Sequence, residues 1–316
     1  MNLSHAYGET PSEKTAIALL NRALDLGVTL LDTAALYGGG ANEILVGKAV
    51  GRRRREFTLA SKCVLALEEG KRILDGSPAG IARTLDFSLA RLGTDHIDLY
   101  YLHRLDPDVP VEDSVGALKR AREAGKIGAI GLSEMSAATI ERAHREHPIA
   151  AVQSEYSPTV RNPEVAVLDT CRRLGIGFVA FSPVARGMLA GSVRNDDYVA
   201  GDIRRSMPRF VAPQLAHNLQ AVAAFEALAA EAGVTPAQLS LAWLLARGDH
   251  IVPIPGTRSI RHVEENVATL EKRIDPELLA RIEPIFAGDA IRGARYSAAA
   301  QAQVDTELLP GETLAT

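Results

Sequence analysis

Residues 28–40 read VTLLDTAALYGGG, and this stretch decides how the rest of the chain is interpreted. Its apolar beginning predicts a buried strand, which ends at Asp32, an acid that a hydrophobic core does not accept without a partner. Tyr37 follows in a loop just before three glycines. Taken alone, the stretch fits either a satisfied buried aspartate with a loop tyrosine or a pair of functional groups at the end of a strand.

The bulk composition is that of an ordinary globular enzyme. The chain has 316 residues, of which 47% are hydrophobic and 23% charged. Its net charge of -4 gives no electrostatic reason to expect nucleic acid or an anionic membrane as a partner. Residues 1–7 lack a signal-peptide pattern and no apolar run has the length of a membrane span, so we expect a cytoplasmic protein. Neither Cys63 nor Cys171 has metal-ligand spacing, and we expect no metal site.

Strand-like and helix-like segments alternate along the chain, which predicts parallel strands joined by crossover helices. The predicted strands are 28–32, 57–63, 97–103, 127–133, 150–156, 177–183 and 251–255. The predicted helices are 12–26, 41–50, 78–92, 111–124, 136–147, 164–174, 215–232, 236–246, 259–270 and 276–286.

The favoured fold class is α/β, a TIM-type (β/α)8 barrel of which only seven of the eight strands are visible in this chain. Chemistry in such barrels lies at the carboxyl ends of the strands, where the sequence places Asp32, Lys62, His103, Ser133, Gln153 and Ser182. An open doubly wound sheet is the alternative, but no G-x-G-x-x-G opens a helix after any strand. We expect one domain over 1–316, with a lid-like loop at 185–213 and a loosely docked C-terminal tail at 287–316.

Tyr37 and three of these strand-end residues, Asp32, Lys62 and His103, suit the reduction of a carbonyl. A free phenol is too weak an acid to protonate an alkoxide efficiently at neutral pH, because its pKa is near 10. A cationic Lys62 about 4 Å from Tyr37 is worth roughly 4 kcal/mol in favour of the phenolate at an effective dielectric of about 20. Asp32 would keep Lys62 charged, and His103 is able to donate a hydrogen bond to the carbonyl oxygen.

In this order and spacing, the sequence resembles the aldo-keto reductase superfamily from about residue 4 to about residue 266. The resemblance is carried by the four groups above and by these motifs: LDTA-x-x-YG at 31–38, GKI-x-x-IGLS at 125–133, Q-x-EYS at 153–157, PIPGT at 253–257 and EEN at 264–266. Gly-Leu-Ser-Glu at 131–134 and Tyr-Leu-His-Arg at 101–104 are similar to the bacterial and plant branch.

The resemblance implies NADPH-dependent reduction of an aldehyde or ketone to an alcohol. Tyr37 would be the general acid, Lys62 and Asp32 would tune its pKa, and His103 would orient the carbonyl. The residues implied to bind NADPH/NADP+ are Ser133 and Gln153 at the nicotinamide carboxamide, Phe181 on the nicotinamide face, Ser182, Pro183, Arg186 and Gly187 along the pyrophosphate, Gly256, Thr257, Arg258 and His262 near the 2′-phosphate, and Glu265 and Asn266 at the adenine.

Three residues depart from the pattern of the family. Glu134 stands where much of the superfamily has Asn, Phe181 replaces a stacking Tyr, and His262 replaces an Arg. Arg258 is thereby the one fixed cation among the expected 2′-phosphate ligands, so we expect it to carry most of any preference for NADPH over NADH.

Family members begin with a hairpin and a first barrel strand that precede the segment at which this chain starts. A barrel that lacks one strand has two unpaired strand edges, which natural sequences avoid. We therefore expect about 25 to 35 further residues upstream of Met1, which at about 3.3 Å per strand residue would suffice for a hairpin and one strand.

Two further interpretations of function remain open at this point. Some members of the superfamily serve as regulatory subunits that sense the state of the cofactor, and a truncated product would be inactive. A small carbonyl compound is the expected substrate, but loops such as 185–213 do not reveal from their composition which one, and the oligomeric state is equally open.

Overall fold

The computed structural model describes residues 1–68, 71–312 and 314–315. Its strands are β1 (Leu30–Asp32), β2 (Thr58–Cys63), β3 (Leu65–Glu68), β4 (Lys71–Leu74), β5 (Ile97–Leu102), β6 (Ile127–Ser133), β7 (Ala151–Glu155), β8 (Gly177–Phe181) and β9 (Ile251–Ile254). Seven of them form one sheet in the order β1-β2-β5-β6-β7-β8-β9, and every neighbouring pair in it is parallel.

The sheet is rolled into a nearly closed barrel. Leu30 from one edge strand and Ile254 from the other pack against the same interior cluster, which also takes side chains from each of the strands between them. Tyr101 is the largest member of that cluster, and it has room because its neighbour is Gly131, where a Cβ atom would lie 2.3 Å from the tyrosine ring. The predicted barrel, with seven strands visible, is confirmed.

Helices surround the barrel and bury their apolar faces against the outside of the sheet. They are α1 (Glu13–Asp25), α2 (Ala41–Val50), α3 (Pro78–Leu92), α4 (Val111–Glu123), α5 (Ala137–Glu146), α6 (Val167–Leu174), α7 (Gln214–Glu231), α8 (Pro236–Leu245), α9 (Ile260–Val267), α10 (Pro276–Ala280), α11 (Ile282–Ile285) and α12 (Ala298–Gln301). The predicted helices are present with small shifts at their ends, except that the segment 276–286 forms two short helices. None of the helices in the described ranges is long and apolar enough to cross a membrane.

The antiparallel hairpin of β3 and β4 was not predicted. It pairs Leu65 with Leu74 and Leu67 with Arg72 at the end of the barrel to which β2 leads. Its strands mix apolar and charged residues without a clear period of two, so no alternating pattern predicts a strand there. Residues 69–70, which join the two strands, lie outside the described ranges.

The two irregular segments are more ordered than predicted. Short 3-10 helices lie at Ala185–Ala190, Ile203–Ser206 and Pro208–Phe210 within the lid-like loop. The expectation of a loosely docked tail is wrong, because Arg295 and Tyr296 are only 3% and 5% exposed. Residues 313 and 316 of the predicted tail lie outside the described part of the chain.

The tail is fastened to the beginning of α5 by hydrogen bonds. The Asp305 carboxylate accepts from the backbone N–H of Ser136 at 3.0 Å and from its hydroxyl at 2.9 Å. Glu307 accepts from the backbone N–H of Ala137 at 2.7 Å. Two carboxylates at a helix N-terminus satisfy free N–H groups and favour the helix dipole, so these contacts stabilise both segments.

The first eight residues connect α2 to the lid-like loop. The Asn42 side-chain amide donates to the Ser4 hydroxyl at 2.8 Å, and the Ile203 N–H donates to the carbonyl of Ala6 at 3.0 Å. The Gly8 N–H donates to Asp202 at 2.9 Å. This segment therefore fixes the position of the loop at the carboxyl end of the barrel. The expected strand upstream of Met1 stays a prediction.

Candidate active site

The chemically active residues gather at the carboxyl ends of the strands. Asp32 ends β1, Lys62 lies next to the last residue of β2, and Ser133 ends β6 opposite Gln153 of β7. His103 follows the last residue of β5. Parallel pairing aligns these ends, since Asp32 of β1 is in register with the residue two before Lys62 in β2. The sheet curls around one interior, so the ends of strands that are not neighbours also lie close together.

Lys62 is the centre of this group. Its side chain is fully buried, and its ammonium group forms an ion pair with Asp32. The same Nζ donates to the backbone carbonyl of Thr33 at 2.8 Å and to the hydroxyl of Tyr37 at 3.3 Å. All three donors of the ammonium group are thus used, which fixes the charge beside the phenol.

The Asp32 carboxylate is held from two sides. Lys62 binds its Oδ1, and the side-chain amide of Gln153 donates to its Oδ2 at 2.8 Å. Gln153 is itself only 2% exposed. The Asp32 carboxylate, which the sequence left in need of a partner, therefore has two.

Tyr37 is presented by a tight turn of glycines. Gly38, Gly39 and Gly40 have φ angles of 61°, 62° and 94°, in the left-handed region that other residues rarely adopt. The turn carries the chain from β1 directly into α2. The phenol ring packs edge-on against the His103 ring, with the ring centroids 5.7 Å apart, and lies 5.6 Å from the His5 ring.

The pKa of Tyr37 is raised above its ordinary value, because burial disfavours the phenolate. Lys62 acts in the opposite direction, as predicted, and Arg104 helps it, while Asp32 adds to the rise. The expectation of a phenol made more acidic overall is therefore wrong for this structure, since desolvation outweighs the ammonium group. Tyr37 consequently holds its proton at neutral pH.

The pKa of Lys62 is raised as well. Burial alone lowers it, but the Asp32 carboxylate and the Tyr37 hydroxyl outweigh that effect. Lys62 is therefore charged at neutral pH, as the sequence predicted from its neighbouring aspartate.

His103 is neutral at neutral pH. Burial lowers its pKa well below the ordinary value, and the positive charges of Arg104, Lys62 and Arg72 lower it further. The residue is 6% exposed, and its Nδ1 has no hydrogen-bond partner within the described part of the chain. A neutral imidazole offers one N–H donor and one acceptor, so His103 is able to donate a hydrogen bond without adding charge.

Ser133 lies beside Arg104, the arginine of the Tyr-Leu-His-Arg motif. The Arg104 Nη1 donates to the Ser133 hydroxyl at 3.3 Å and to the backbone carbonyl of His103 at 2.6 Å. Glu134, the next residue, is fully buried and faces the tail, where it forms an ion pair with Arg295 at 3.1 Å. The Glu134 charge therefore points away from Ser133.

The segment after β8 has the backbone of a tight, strained loop. Ser182, Ala185 and Arg186 have positive φ angles of 51°, 48° and 55°, and Gly187 follows at 94°. Such conformations are concentrated at ligand-binding sites, because other residues adopt them only under the constraint of the surrounding structure. Phe181 and Pro183 flank the start of this loop.

The Arg186 side chain is not free to bind a ligand. It forms a buried pair of hydrogen bonds with the Glu155 carboxylate at 3.1 Å and 2.9 Å, and it donates to the Tyr7 hydroxyl at 3.0 Å. The family resemblance implies that this segment follows a pyrophosphate. Because the Arg186 side chain is occupied, only the backbone of the segment is available for that contact. Glu155 lies in a predicted buried strand, and an acid in such a place needs a partner. That partner, Arg186, is 31 residues away in the chain, so the sequence does not identify it.

The segment after β9 brings several donors together at the start of α9. Arg258 is exposed and donates to the backbone carbonyl of Glu9. The Thr257 hydroxyl lies 3.5 Å from a His262 ring nitrogen, and Arg261 donates to the other ring nitrogen at 3.1 Å. Arg261 is a second cation at this place, which the sequence analysis missed.

The remaining candidates near α9 have structural contacts or stay exposed. Gly256 is exposed and lies against Asn2. The Glu265 carboxylate accepts from the Thr235 hydroxyl at 2.7 Å and so fastens α9 to the start of α8, while Asn266 is half-buried next to it. No cluster of metal-ligating side chains is found among the residues that the structure describes.

Comparison with known proteins agrees with this architecture. A model of the aldo/keto reductase family matches residues 1–286. The aldo-keto reductase yakc of Schizosaccharomyces pombe, whose name carries the cofactor NADP(+), is 42% identical over 321 residues, which cover 98% of this chain and 94% of the yeast protein.

Two solved structures are also similar. A glycerol dehydrogenase of Gluconobacter oxydans is 25% identical with a TM-score of 0.82, and the match covers 99% of this chain and 92% of that one. An aldo-keto reductase of Klebsiella pneumoniae in complex with NADPH is 26% identical with a TM-score of 0.71, covering 93% of this chain and 92% of that one.

Proposed function

This chain belongs to the aldo/keto reductase family, and we propose that it reduces an aldehyde or ketone to an alcohol with NADPH as the cofactor. The observation that carries the proposal is the position of the Lys62 ammonium group, which contacts both the Asp32 carboxylate and the Tyr37 hydroxyl. A single barrel domain over 1–316, a cytoplasmic location and a small-molecule substrate are part of the same proposal.

Tyr37 is the proton donor in this proposal. Burial raises its pKa, so the phenol is protonated at neutral pH but is a weaker acid than a free phenol, and transfer of its proton to an oxygen that gains negative charge depends on stabilisation of the phenolate. The Lys62 ammonium, 3.3 Å from the hydroxyl, stabilises the phenolate left behind. At an effective dielectric of about 20 this attraction is worth roughly 4 kcal/mol, which corresponds to about three pKa units.

His103 orients the carbonyl group. A neutral imidazole donates one hydrogen bond to the carbonyl oxygen and so stabilises the charge that develops there. Its ring packs edge-on against Tyr37, so both groups face the same small volume at the mouth of the barrel. NADPH supplies the hydride when it is bound.

The residues present fit such a cofactor by the chemistry of their donors. Ser133 accepts a hydrogen bond from Arg104 and keeps its own O–H for a carboxamide oxygen. Arg258 and Arg261 lie at the positive end of the α9 dipole beside the Thr257 hydroxyl, a set suited to a phosphate monoester. The backbone of 182–187, rather than the Arg186 side chain, is the part of the β8 loop that remains for the pyrophosphate.

Other members of the predicted set keep their assigned places in this proposal. Phe181 contributes a ring without a hydroxyl at the nicotinamide face. Gln153 binds Asp32 through its amide, so its carbonyl oxygen remains for the carboxamide. Gly256, His262, Glu265 and Asn266 stay near the adenosine end.

The test is reduction of 4-nitrobenzaldehyde, followed as the loss of NADPH absorbance. We expect the Tyr37→Phe variant to lose about 100-fold or more in kcat/KM, because general acid catalysis contributes about 10²–10⁴-fold. Its affinity for NADPH, measured by fluorescence, should stay within about twofold of the parent, since a hydroxyl aimed at the substrate adds little to cofactor binding. A parent protein that binds NADPH but reduces no aldehyde would favour a regulatory subunit, and an unchanged Tyr37→Phe variant would refute the assigned acid.

A further inference from the structure

Arg104 is a buried arginine beside the candidate site that lacks a carboxylate partner. It is 8% exposed, and its Nη1 is used on the His103 carbonyl and the Ser133 hydroxyl. Its Nε–H has no partner, and none of the described aspartates and glutamates forms an ion pair with it. Among the other buried arginines, Arg186 faces Glu155 and Arg295 faces Glu134, whereas Arg209, which is also buried without an ion pair among the described residues, donates to the backbone carbonyl of Gly293. Burial of a cation without a counter-charge is unfavourable, and Arg104 differs from Arg209 in that it lies beside the candidate site, where a bound anion would supply that charge.

The free edge of Arg104 has a specific shape. With Nη1 occupied, the Nε–H and the adjacent Nη2 group remain as one planar pair of donors, without a hydrogen bond to the rest of the described chain. That pair matches the two oxygens of a carboxylate in a bidentate arrangement. The Ser133 hydroxyl contact holds the guanidinium plane in place.

A second cation acts on the same volume. Arg72 extends from β4 of the hairpin, and it too forms no ion pair within the part of the chain that the structure describes. Partial desolvation and the nearby Arg104 lower the pKa of Arg72. The charges of both guanidinium groups lower the pKa of His103, and the charge of Arg104 also lowers the pKa of Tyr37. The excess positive charge is therefore next to the groups that face the reacting carbonyl.

We propose that the substrate is a carbonyl compound that carries a carboxylate, which Arg104 binds through its Nε and Nη2 with Arg72 adding long-range attraction from the hairpin. The carbonyl of the same molecule lies at Tyr37 and His103. This inference rests on the proposed function and adds the substrate class to it. Arg104 is thereby a specificity-determining residue, and the hairpin has a role in substrate recognition.

The experiment compares 3- and 4-carboxybenzaldehyde with their methyl esters, which have nearly the same shape and no charge. We expect the parent protein with NADPH to prefer the acid by about tenfold or more in kcat/KM for at least one pair, the size expected of a charged hydrogen-bonded contact. Arg104→Gln should bring that ratio close to one, and Arg72→Gln should reduce it by about threefold. Arg142→Gln, which changes a surface pair between α5 and α4, is the control and should leave the ratio unchanged.

Two results would overturn the proposal. One is a parent protein that reduces the acids no better than the esters. The other is an Arg104→Gln variant that loses activity equally on both members of a pair, or changes only the KM for NADPH, because Arg104 would then position His103 and Ser133 or serve the cofactor. Arg72→Gln provides a second test where Arg104→Gln fails to fold. A parent protein without a preference for the acids, together with an Arg72→Gln variant that has the same acid-to-ester ratio of kcat/KM, would also overturn the proposal.

Calorimetry separates this inference from the proposed reaction. Benzoate and benzamide are titrated into the parent protein and into Arg104→Gln, in the presence of NADP+. We expect benzoate to bind the parent about tenfold more tightly than benzamide does and to lose that advantage in the variant. If no aldehyde is reduced and benzoate still shows this difference, the reductase proposal fails and the carboxylate subsite stands. If aldehydes are reduced and benzoate shows none, the subsite fails alone.

Discussion

The side-chain amide of Gln153 donates a hydrogen bond to the Asp32 carboxylate over 2.8 Å and so joins β7 to β1, two strands that are not neighbours in the sheet. Asp32 uses its other oxygen for Lys62, which makes the glutamine part of the support for the buried charge. Gln153, which the family resemblance implies as a ligand of the nicotinamide, therefore also supports the Asp32 carboxylate in the protein without cofactor.

Replacement of Gln153 by leucine is predicted to destabilise the protein in the absence of any ligand. The change leaves Asp32 Oδ2 without its donor, and an unsatisfied buried acceptor costs about 1–3 kcal/mol. Urea unfolding of the cofactor-free protein measures this loss. An unfolding free energy equal to that of the parent, with a changed KM for NADPH, would mean that Gln153 serves the cofactor only.

The Asp32–Lys62 pair is predicted to be much more costly to break than to remove. Lys62→Met leaves a buried carboxylate without its counter-charge, which costs about 3–5 kcal/mol. The double variant Asp32→Asn, Lys62→Met removes both charges and should regain most of that loss, although it remains inactive. Chemical unfolding of the parent, both single variants and the double variant gives the coupling. Strictly additive losses would show that the two groups do not depend on each other.

The sequence was sufficient for the framework of this site but not for its internal contacts. A buried strand that ends on Asp32 already requires a partner, and the spacing of strands and helices places Lys62 and His103 at the same end of a barrel. Gln153 as the second partner of Asp32 could not be predicted, because the contact depends on how tightly the sheet curls and not on neighbouring strands.

Arg104 and Arg295 show the same limit. The position after His103 is visible in the sequence, yet whether an arginine there turns toward solvent or toward Ser133 depends on packing with loops distant in the chain. Arg295 lies 161 residues from Glu134 in an alanine-rich tail that has no periodic pattern. The sequence shows Glu134 directly after a predicted strand, but it does not show that this acid is buried or which cation pairs with it.

Protein stability is predicted to fall as the pH falls below 6.5, in part because of His103. The folded-state pKa of this residue lies well below the ordinary 6.5. The unfolded chain therefore binds a proton first as the pH decreases, and the free energy of unfolding decreases by up to about 1.4 kcal/mol per pH unit until the folded form titrates.

The difference between the parent and His103→Gln isolates this contribution. His5, whose pKa is lowered to about 4, contributes to both proteins and cancels. Urea unfolding between pH 7 and pH 5 should show a shallower decline for His103→Gln than for the parent. Equal slopes for the two proteins would show that His103 is protonated as readily in the folded state as in the unfolded state.

The contact between Arg295 and Glu134 is predicted to hold the tail on the barrel. Glu134 is fully buried with a positive φ of 54°, and it accepts hydrogen bonds from the backbone N–H of Glu155 at 2.7 Å and from Arg295 at 3.1 Å. Arg295→Met removes the counter-charge and should cost about 3–5 kcal/mol. The double variant Glu134→Gln, Arg295→Met should recover much of it, because a neutral amide still accepts the backbone hydrogen bond.

A neighbouring arginine provides the control. Arg292 pairs with the exposed Asp289, so Arg292→Met should cost less than about 1 kcal/mol. Limited proteolysis reports on the tail directly: residues 297–312 should be cleaved faster in Arg295→Met than in the parent or in Arg292→Met. Equal cleavage in all three proteins would show that the hydrogen bonds of Asp305 and Glu307 to the start of α5 hold the tail without Arg295.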